Sequence, residues 1–356
     1  MLKKEFLKCL LIMSAIIPSV SACANNETSP LGPEKFGELI ETAPNTVVLD
    51  VRTSEEYNEG HIPGAINIDA TDEDFQEDVE GTVSRQNRIA LYCRSGRRSA
   101  EASRVLAGDG YQISDLEGGV LAWQKYGLPL TAGKEDFYLT PGGKTVKIQP
   151  LIHASLRISF EECEIEIDPV GQLGNRTTDY SLLPKADFIL VTHEHHDHLD
   201  PEAIKTLSKT DTVVITNQRS ADILDYGRVM ANGDKMTLGP DMEVEAVPAY
   251  NTTPERLQFH PKGRDNGYVL TLDGLKIYIA GDTEVVPEMR NLKDIDIAFL
   301  PCNLPYTMTV DQLIEAAEII RPKVVYPYHY GETDLSSVTP ALASEGIYVR
   351  ICPFDP

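Results

Sequence analysis

VTHEHHDHLD, residues 191–200, holds four of the chain's eight histidines, His193, His195, His196 and His198, with Glu194 and Asp197 between them. The run lies mid-chain, so it is not a terminal tag, and it follows the apolar stretch FILV, which reads as a buried strand. Histidines two apart at a strand end project from one loop, so His193 and His195 can reach the same ion. Asp197 and His198 are then placed for a second ion. Imidazoles with a carboxylate suit Zn²⁺, or Mn or Fe. Such ions acidify water enough to make it a nucleophile near neutral pH. A loop kept polar only for solvation would not need this spacing. Glu194 and His196 alternate with the ligand positions and are expected to face elsewhere or to support the ligands from behind.

Outward from this run, strands alternate with helices. VKIQPLIHASLRISF, EIEIDP, TVVITN, DMEVEAVPAY, DIDIAFLPC and VVYPYHYG read as strands, and PEAIKTLSKT and VDQLIEAAEIIRP as helices. GYVLTLDGLKIYIAGDT reads as a hairpin turning at Asp273-Gly274. The pattern predicts an α/β unit over residues 146–356, with two sheets flanked by helices. A separate α/β unit spans residues 33–130, with strands at TVVLDV and RIALYC and a helix at RSAEASRVLAGDG. Residues 131–145, rich in Gly, Thr and Pro, read as the linker between them.

The chain's 356 residues, 42% of them apolar, suffice for two domains with real cores. A formal charge of −23 repels phosphate backbones and argues against nucleic-acid binding. Residues 1–22 read as a secretion signal: a lysine-rich start, then an apolar run too short to span a bilayer. Val20-Ser21-Ala22-Cys23 resembles the bacterial lipobox, which implies cleavage before Cys23 and its lipidation, with 23–32 as a polar tether. The protein is therefore expected to be exported and anchored to a bacterial membrane by lipid. Ala24 in place of an aspartate favours the outer membrane. Cys93, Cys163, Cys302 and Cys352 are too widely spaced to form a disulfide framework.

Cys93 ends a strand and is followed by Arg94, Ser95, Gly96, Arg97, Arg98 and Ser99 at a helix start. Loop amides, the helix N-terminus and three arginines are expected to stabilise a thiolate there and to hold an anionic sulfur donor. VVLDVRTSEEYNEGHIPGAINI, YCRSGRRS and LEGGVLAWQKYGLPL, in that order, resemble the rhodanese family of sulfurtransferases. The resemblance implies a parallel sheet with flanking helices, a Cys93 persulfide cradled by residues 94–99, and small-molecule sulfur donors and acceptors. A six-residue loop fits sulfur, whereas the family's phosphatase relatives carry a longer one. Asp50 and Arg52 match a pair that supports the fold. His61 and Trp123 are expected to be structural.

The second unit resembles the metallo-β-lactamase superfamily, an αββα sandwich. By that resemblance AGDTE supplies Asp282 as the carboxylate bridging two divalent metals, and YPYHYG supplies His329 as a ligand of the second. The ligand that usually falls between the HxHxDH motif and Asp282 is a histidine. The matching strand end here offers Asn251, so the first metal reads as one ligand short unless His260 reaches back. Asp200 and the IHAS stretch containing His153 resemble the branch that holds ascorbate-phosphate lactonase and N-acyl-phosphatidylethanolamine phospholipase D. That resemblance puts His153 near the metals and Asn303, Tyr306 and Thr307 beside the pocket, and it implies an ester, lactone or phosphoester substrate. Two other readings are a persulfide dioxygenase–rhodanese fusion with one iron, and a non-enzymatic sulfur carrier or sensor.

Overall fold

A computed structural model describes residues 30–352 and residue 354; Cys23 and the expected leader lie outside the described residues. The first domain has four parallel strands, β1 (Thr46–Asp50), β2 (Ile66–Asn67), β3 (Arg88–Tyr92) and β4 (Gln112–Asp115), in the order β2-β1-β3-β4. Helices α1 (Pro33–Thr42), α2 (Ser54–Glu59), α3 (Phe75–Thr82), α4 (Arg97–Gly108) and α5 (Gly119–Tyr126) accompany them. Near-continuous apolar runs such as RIALY suit a parallel sheet covered on both faces. Asp50 and Arg52 form a buried forked ion pair, with Arg52 Nη2 2.6 Å from Asp50 Oδ2, and Arg52 also donates to the Gly60 carbonyl. His61 stacks on Tyr57 at 3.7 Å between ring centres.

The second domain is a sandwich of two sheets. One contains β5 (Leu130–Ala132), β6 (Glu135–Leu139), β7 (Thr145–Pro150), β8 (Leu156–Phe160) and β9 (Cys163–Ile167). After a small hairpin, β10 (Gln172–Leu173) and β11 (Arg176–Thr177), it continues with β12 (Ala186–Leu190), β13 (Ser208–Thr216) and β14 (Arg228–Val229). Its order is β14-β13-β12-β9-β8-β7-β6-β5. The other sheet runs in chain order through β15 (Lys235–Gly239), β16 (Met242–Ala249), β17 (Asp265–Leu272), β18 (Leu275–Ile279), β19 (Ile297–Pro301), β20 (Val324–Tyr328) and β21 (Tyr348–Val349). The inner faces share one apolar core, including Ile158, Ile165, Leu270 and Ile277. Helices α6 (Pro201–Leu207) and α7 (Gln218–Leu224) pack on the outer face of the first sheet, and α8 (Val310–Ile320) and α9 (Val338–Ala343) cover the second. The β17–β18 hairpin turns at Asp273 and Gly274, both with positive φ, as the Asp-Gly pair predicts.

The segment 131–145 is not a linker. It carries β6 and most of β5, with Leu130 paired to Phe137 and Asp136 to Ile148. Gly and Thr there mark hairpin turns within the sheet, while Asp136 and Tyr138 alternate inward and are fully buried. The helix after Asp200 is also shorter than PEAIKTLSKT suggests, because β13 takes over at Ser208.

The domains meet through packed side chains. Trp123, fully buried, has Phe36 and Tyr348 edge-on at 6.2 and 5.5 Å. Beside this junction, within the second domain, Asp136 accepts from Tyr326 at 2.7 Å and from Arg350 Nε at 2.9 Å. Glu41, on α1, accepts from the Val349 amide at 2.8 Å, and burial at this junction pushes its carboxyl from 4.5 up to about 8, against the lowering effect of that amide. A carboxyl whose folded pKa is raised is protonated in the fold while ionised in the unfolded chain, so stability falls as pH rises between those values. Glu166, also raised to about 8 by burial, adds a slope of the same sign. Urea unfolding of Glu41→Gln beside the parent at intervals from pH 5 to 8 is therefore expected to show a shallower fall for the variant. Parallel slopes would remove Glu41 as a source of the pH dependence.

Candidate metal centre and thiolate loop

The histidine loop leaves the end of β12, and Asp168, at the end of neighbouring β9, holds its first turn. The Thr192 amide and hydroxyl each donate to Asp168 at 2.7 Å, and His198 Nδ1 lies 2.8 Å from Asp168 Oδ2. These contacts decide tautomers. The Thr192 hydroxyl spends its proton on Asp168, so it accepts from His193 Nδ1 at 3.0 Å. Asp265 likewise takes His260 Nδ1 at 3.0 Å. With Nδ1 protonated, His193, His198 and His260 each turn a bare Nε2 inward, the arrangement that metal-binding histidines use.

Among the described residues three overlapping groups of ligand atoms result: His193, His195 and His260; His153, Asp197, His198 and His329; and His193 and His198 with Asp282, which links the other two. Asp282, just past the end of β18, stands between them. Its carboxylate oxygens lie 3.3 Å from Nε2 of His198, His260 and His329 and 3.9 Å from that of His193. Asp197 Oδ2 lies 3.2 Å from His153 Nε2 and 3.5 Å from His329 Nε2. His329 follows β20 with a left-handed backbone, φ 49°, and its amide donates to the His153 carbonyl at 3.2 Å.

The donor set fits a divalent cation. His198 Nε2, His329 Nε2 and Asp282 Oδ1 are buried without hydrogen-bond partners. Orphaned polar atoms of this kind cost about 1–3 kcal/mol each unless something compensates them. The electrostatics agree. Burial works against a charged His329, yet Asp282 and Asp197 draw positive charge onto it and lift it to about 9. Burial also works against Asp282's charge, and His329 and His198 outweigh it and hold the carboxyl far below its usual range.

His260 reaches back into the cluster, with its Nε2 3.3 Å from Asp282 Oδ2 and grouped with His193 and His195. Asn251 supports it instead. The Asn251 amide donates to the His260 carbonyl at 2.8 Å, and its side-chain nitrogen donates to the Tyr306 carbonyl at 2.8 Å. The loop from Asn251 to His260 folds back on itself, which residue order alone does not reveal. Glu194 faces Arg219 at 2.9 Å and Arg264 at 3.4 Å, and the His196 side chain is 89% exposed. Asp168, Thr192 and Asp265, which orient the ligands, escape a reading based on ligand spacing. The signal available was their place at strand ends. A cavity of about 460 Å³ on the other sheet, lined by Val247, Val269 and Tyr278, includes none of the cluster.

Cys93 follows β3 and is buried. Two glycines let the chain close around it. Gly96 opens α4 at φ 89°, and Gly119, at φ 60°, has no room for a Cβ, which would lie 2.2 Å from the Cys93 carbonyl. Burial raises the thiol pKa. The Ser99 side chain and amide, with the amides of Ser95 and Gly96, outweigh it and lower the pKa overall. The arginines contribute less than the sequence suggests: Arg98 is forked onto Glu56 at 2.7 and 2.8 Å, and Arg94 and Arg97 are exposed.

Residues 147–329 match the β-lactamase superfamily domain. The chain belongs to that superfamily. Residues 32–126 match the rhodanese-like domain. A crystal structure from Parabacteroides distasonis, whose name places it among metal-dependent hydrolases, is 52% identical, with a TM-score of 0.59, and covers 61% of this chain and 97% of its own. UPF0173 metal-dependent hydrolases of Thermococcus onnurineus and Ligilactobacillus salivarius are 32% and 33% identical over 52% and 50% of this chain, and over 84% and 82% of their own lengths. The chain is thus a metal-dependent hydrolase of the metallo-β-lactamase fold joined to a rhodanese-like domain, with a His/Asp cluster suited to metal.

If His260 rather than Asn251 holds metal, His260→Ala should lower the bound metal per chain in elemental mass spectrometry, and Asn251→Ala should cost at most the roughly 10–100-fold in affinity typical of outer residues. The reverse order would return Asn251 to the ligand set.

Proposed function

We propose a lipid-anchored, two-module enzyme: a hydrolase of esters, lactones or phosphoesters using two divalent ions, with Zn favoured over Mn or Fe, and a sulfurtransferase working through a Cys93 persulfide. The observation that carries the hydrolase reading is the pair of ligand groups meeting at Asp282. His193, His195 and His260 would hold one ion, and Asp197, His198 and His329 the other, with Asp282 shared. Bound there, such ions supply an acidified water and polarise the scissile carbonyl or phosphoryl oxygen. Asp197 is the more solvent-reachable of the cluster's two carboxylates, 21% exposed against 3% for Asp282, and would take up the attacking water's proton. His153 Nε2, 3.2 Å from Asp197 Oδ2, would orient that carboxylate. In the other module, the Ser99 side chain and the Ser99, Ser95 and Gly96 amides lower the pKa of the Cys93 thiol, which supports attack on a sulfur donor and transfer to a thiophilic acceptor.

The test uses residues 24–356, without Cys23. Elemental mass spectrometry should find two divalent ions per chain. Asp197→Ala should lose ester or lactone turnover by more than about 100-fold, beyond what outer residues usually cost, and keep thiosulfate:cyanide activity. Cys93→Ser should do the opposite. A single iron with oxygen uptake on a persulfide would sink the hydrolytic reading. The anchor and export rest on the Val20–Cys23 stretch and the outer-membrane placement on Ala24; the intact mass of membrane-extracted protein should show acyl chains that vanish in Cys23→Ser.

A further inference from the structure

Two loops wall the metal cluster, and both leave apolar side chains in solvent. The first, residues 251–260, ends at His260 and exposes Leu257 by 46%. The second, residues 303–307, exposes Leu304 by 54% and Tyr306 by 45%. They are tied together beside the ligands: Asn251 donates to the Tyr306 carbonyl and Arg256 to the Thr307 carbonyl at 2.9 Å. The Phe259 ring, next to His260 in sequence, meets the Tyr306 ring edge-on at 5.1 Å. Asn303 in turn lies against Gly331, two residues past His329. Scattered exposed apolar residues are ordinary, but several on two linked loops beside a reactive centre mark a contact surface.

The charges of these walls point the same way. The cations of residues 251–264 are all committed: Arg256 to Glu284, Lys262 to Glu288 at 2.8 Å, and Arg264 to Asp265 at 2.6 Å. Residues 303–307 contain none. Neither wall therefore offers a spare cation to an anionic group.

Building on the hydrolase reading, we propose that the site takes neutral esters or lactones whose apolar acyl or aryl group packs on Phe259, Leu304 and Tyr306, rather than phosphodiesters. The test gives the metal-loaded chain of residues 24–356 a series of p-nitrophenyl esters from acetyl to octanoyl, with bis(p-nitrophenyl) phosphate alongside. kcat/KM should rise at least about tenfold along the series, roughly what two fully buried methylenes contribute. Tyr306→Ala should collapse the octanoyl-to-acetyl ratio, and Tyr306→Phe should preserve it, with metal content equal in all three proteins. A flat ester series, or a ratio unmoved by Tyr306→Ala, overturns the inference and leaves the hydrolase standing. So does faster turnover of the phosphodiester than of every ester. No turnover of any substrate by fully loaded protein overturns the hydrolase reading itself.

Discussion

The hydrolytic end of the molecule is organised around a buried carboxylate. Asp282 is withdrawn from water with the nitrogens of three imidazoles 3.3 Å away. A charge so placed is tolerable only when paired. The pairing partners come from the loop after β12, the loop before β17 and the end of β20, so the sandwich must bring these strand ends to one edge. Gly281 makes the approach feasible. At φ 65°, a side chain there would meet the Asn266 carbonyl at 2.7 Å, and only glycine lets β18 turn this close to β17.

Two residues beyond Asp282, Glu284 does a complementary task. It is fully buried and accepts the Thr252 and Thr253 amides at 2.6 Å each, together with Arg256. These bonds set the course of the loop that leads from Asn251 to His260. One turn after β18 thus presents one carboxylate to the ligands and uses the next to fix the loop that returns His260 to them. Removing the first would take away the carboxylate that the three imidazole Nε2 atoms share, and removing the second would leave the ligand loop without an anchor.

What could be read from the sequence follows from how local each feature is. HEHHDH carries its ligands within one turn, and Asp282 and His329 sit at the ends of obvious apolar strands, so their chemistry shows in the residue order. His260 lies eleven residues beyond the end of β16 at Ala249, and nothing in FHPKGRDNGY says that the loop folds back; the bonds that make it do so involve Glu284 and Tyr306, distant in sequence. The stretch 131–145 misleads for a related reason. Its glycines look like a linker, and only its pairing with β7 and the burial of Asp136 and Tyr138 show that it extends a sheet. The three arginines after Cys93 look decisive as a cluster, but one has a carboxylate of its own and the others face solvent.

That sheet extension changes how the fusion should be understood. A chain that left the rhodanese-like domain through a free linker would let the two domains reorient. Here the strand following α5 enters the hydrolase sheet at once, Trp123 packs against Tyr348 from the far end of the chain, and Glu41 caps the Val349 amide. Moving one domain relative to the other would break aromatic contacts and expose apolar core. The two centres are therefore held at a fixed separation. At each, a glycine with positive φ sits against backbone where a Cβ would clash, Gly119 at the start of α5 against the Cys93 carbonyl and Gly281 past the end of β18 against the Asn266 carbonyl. Sulfur or substrate passing between them would have to diffuse, because the packed junction leaves neither domain free to swing.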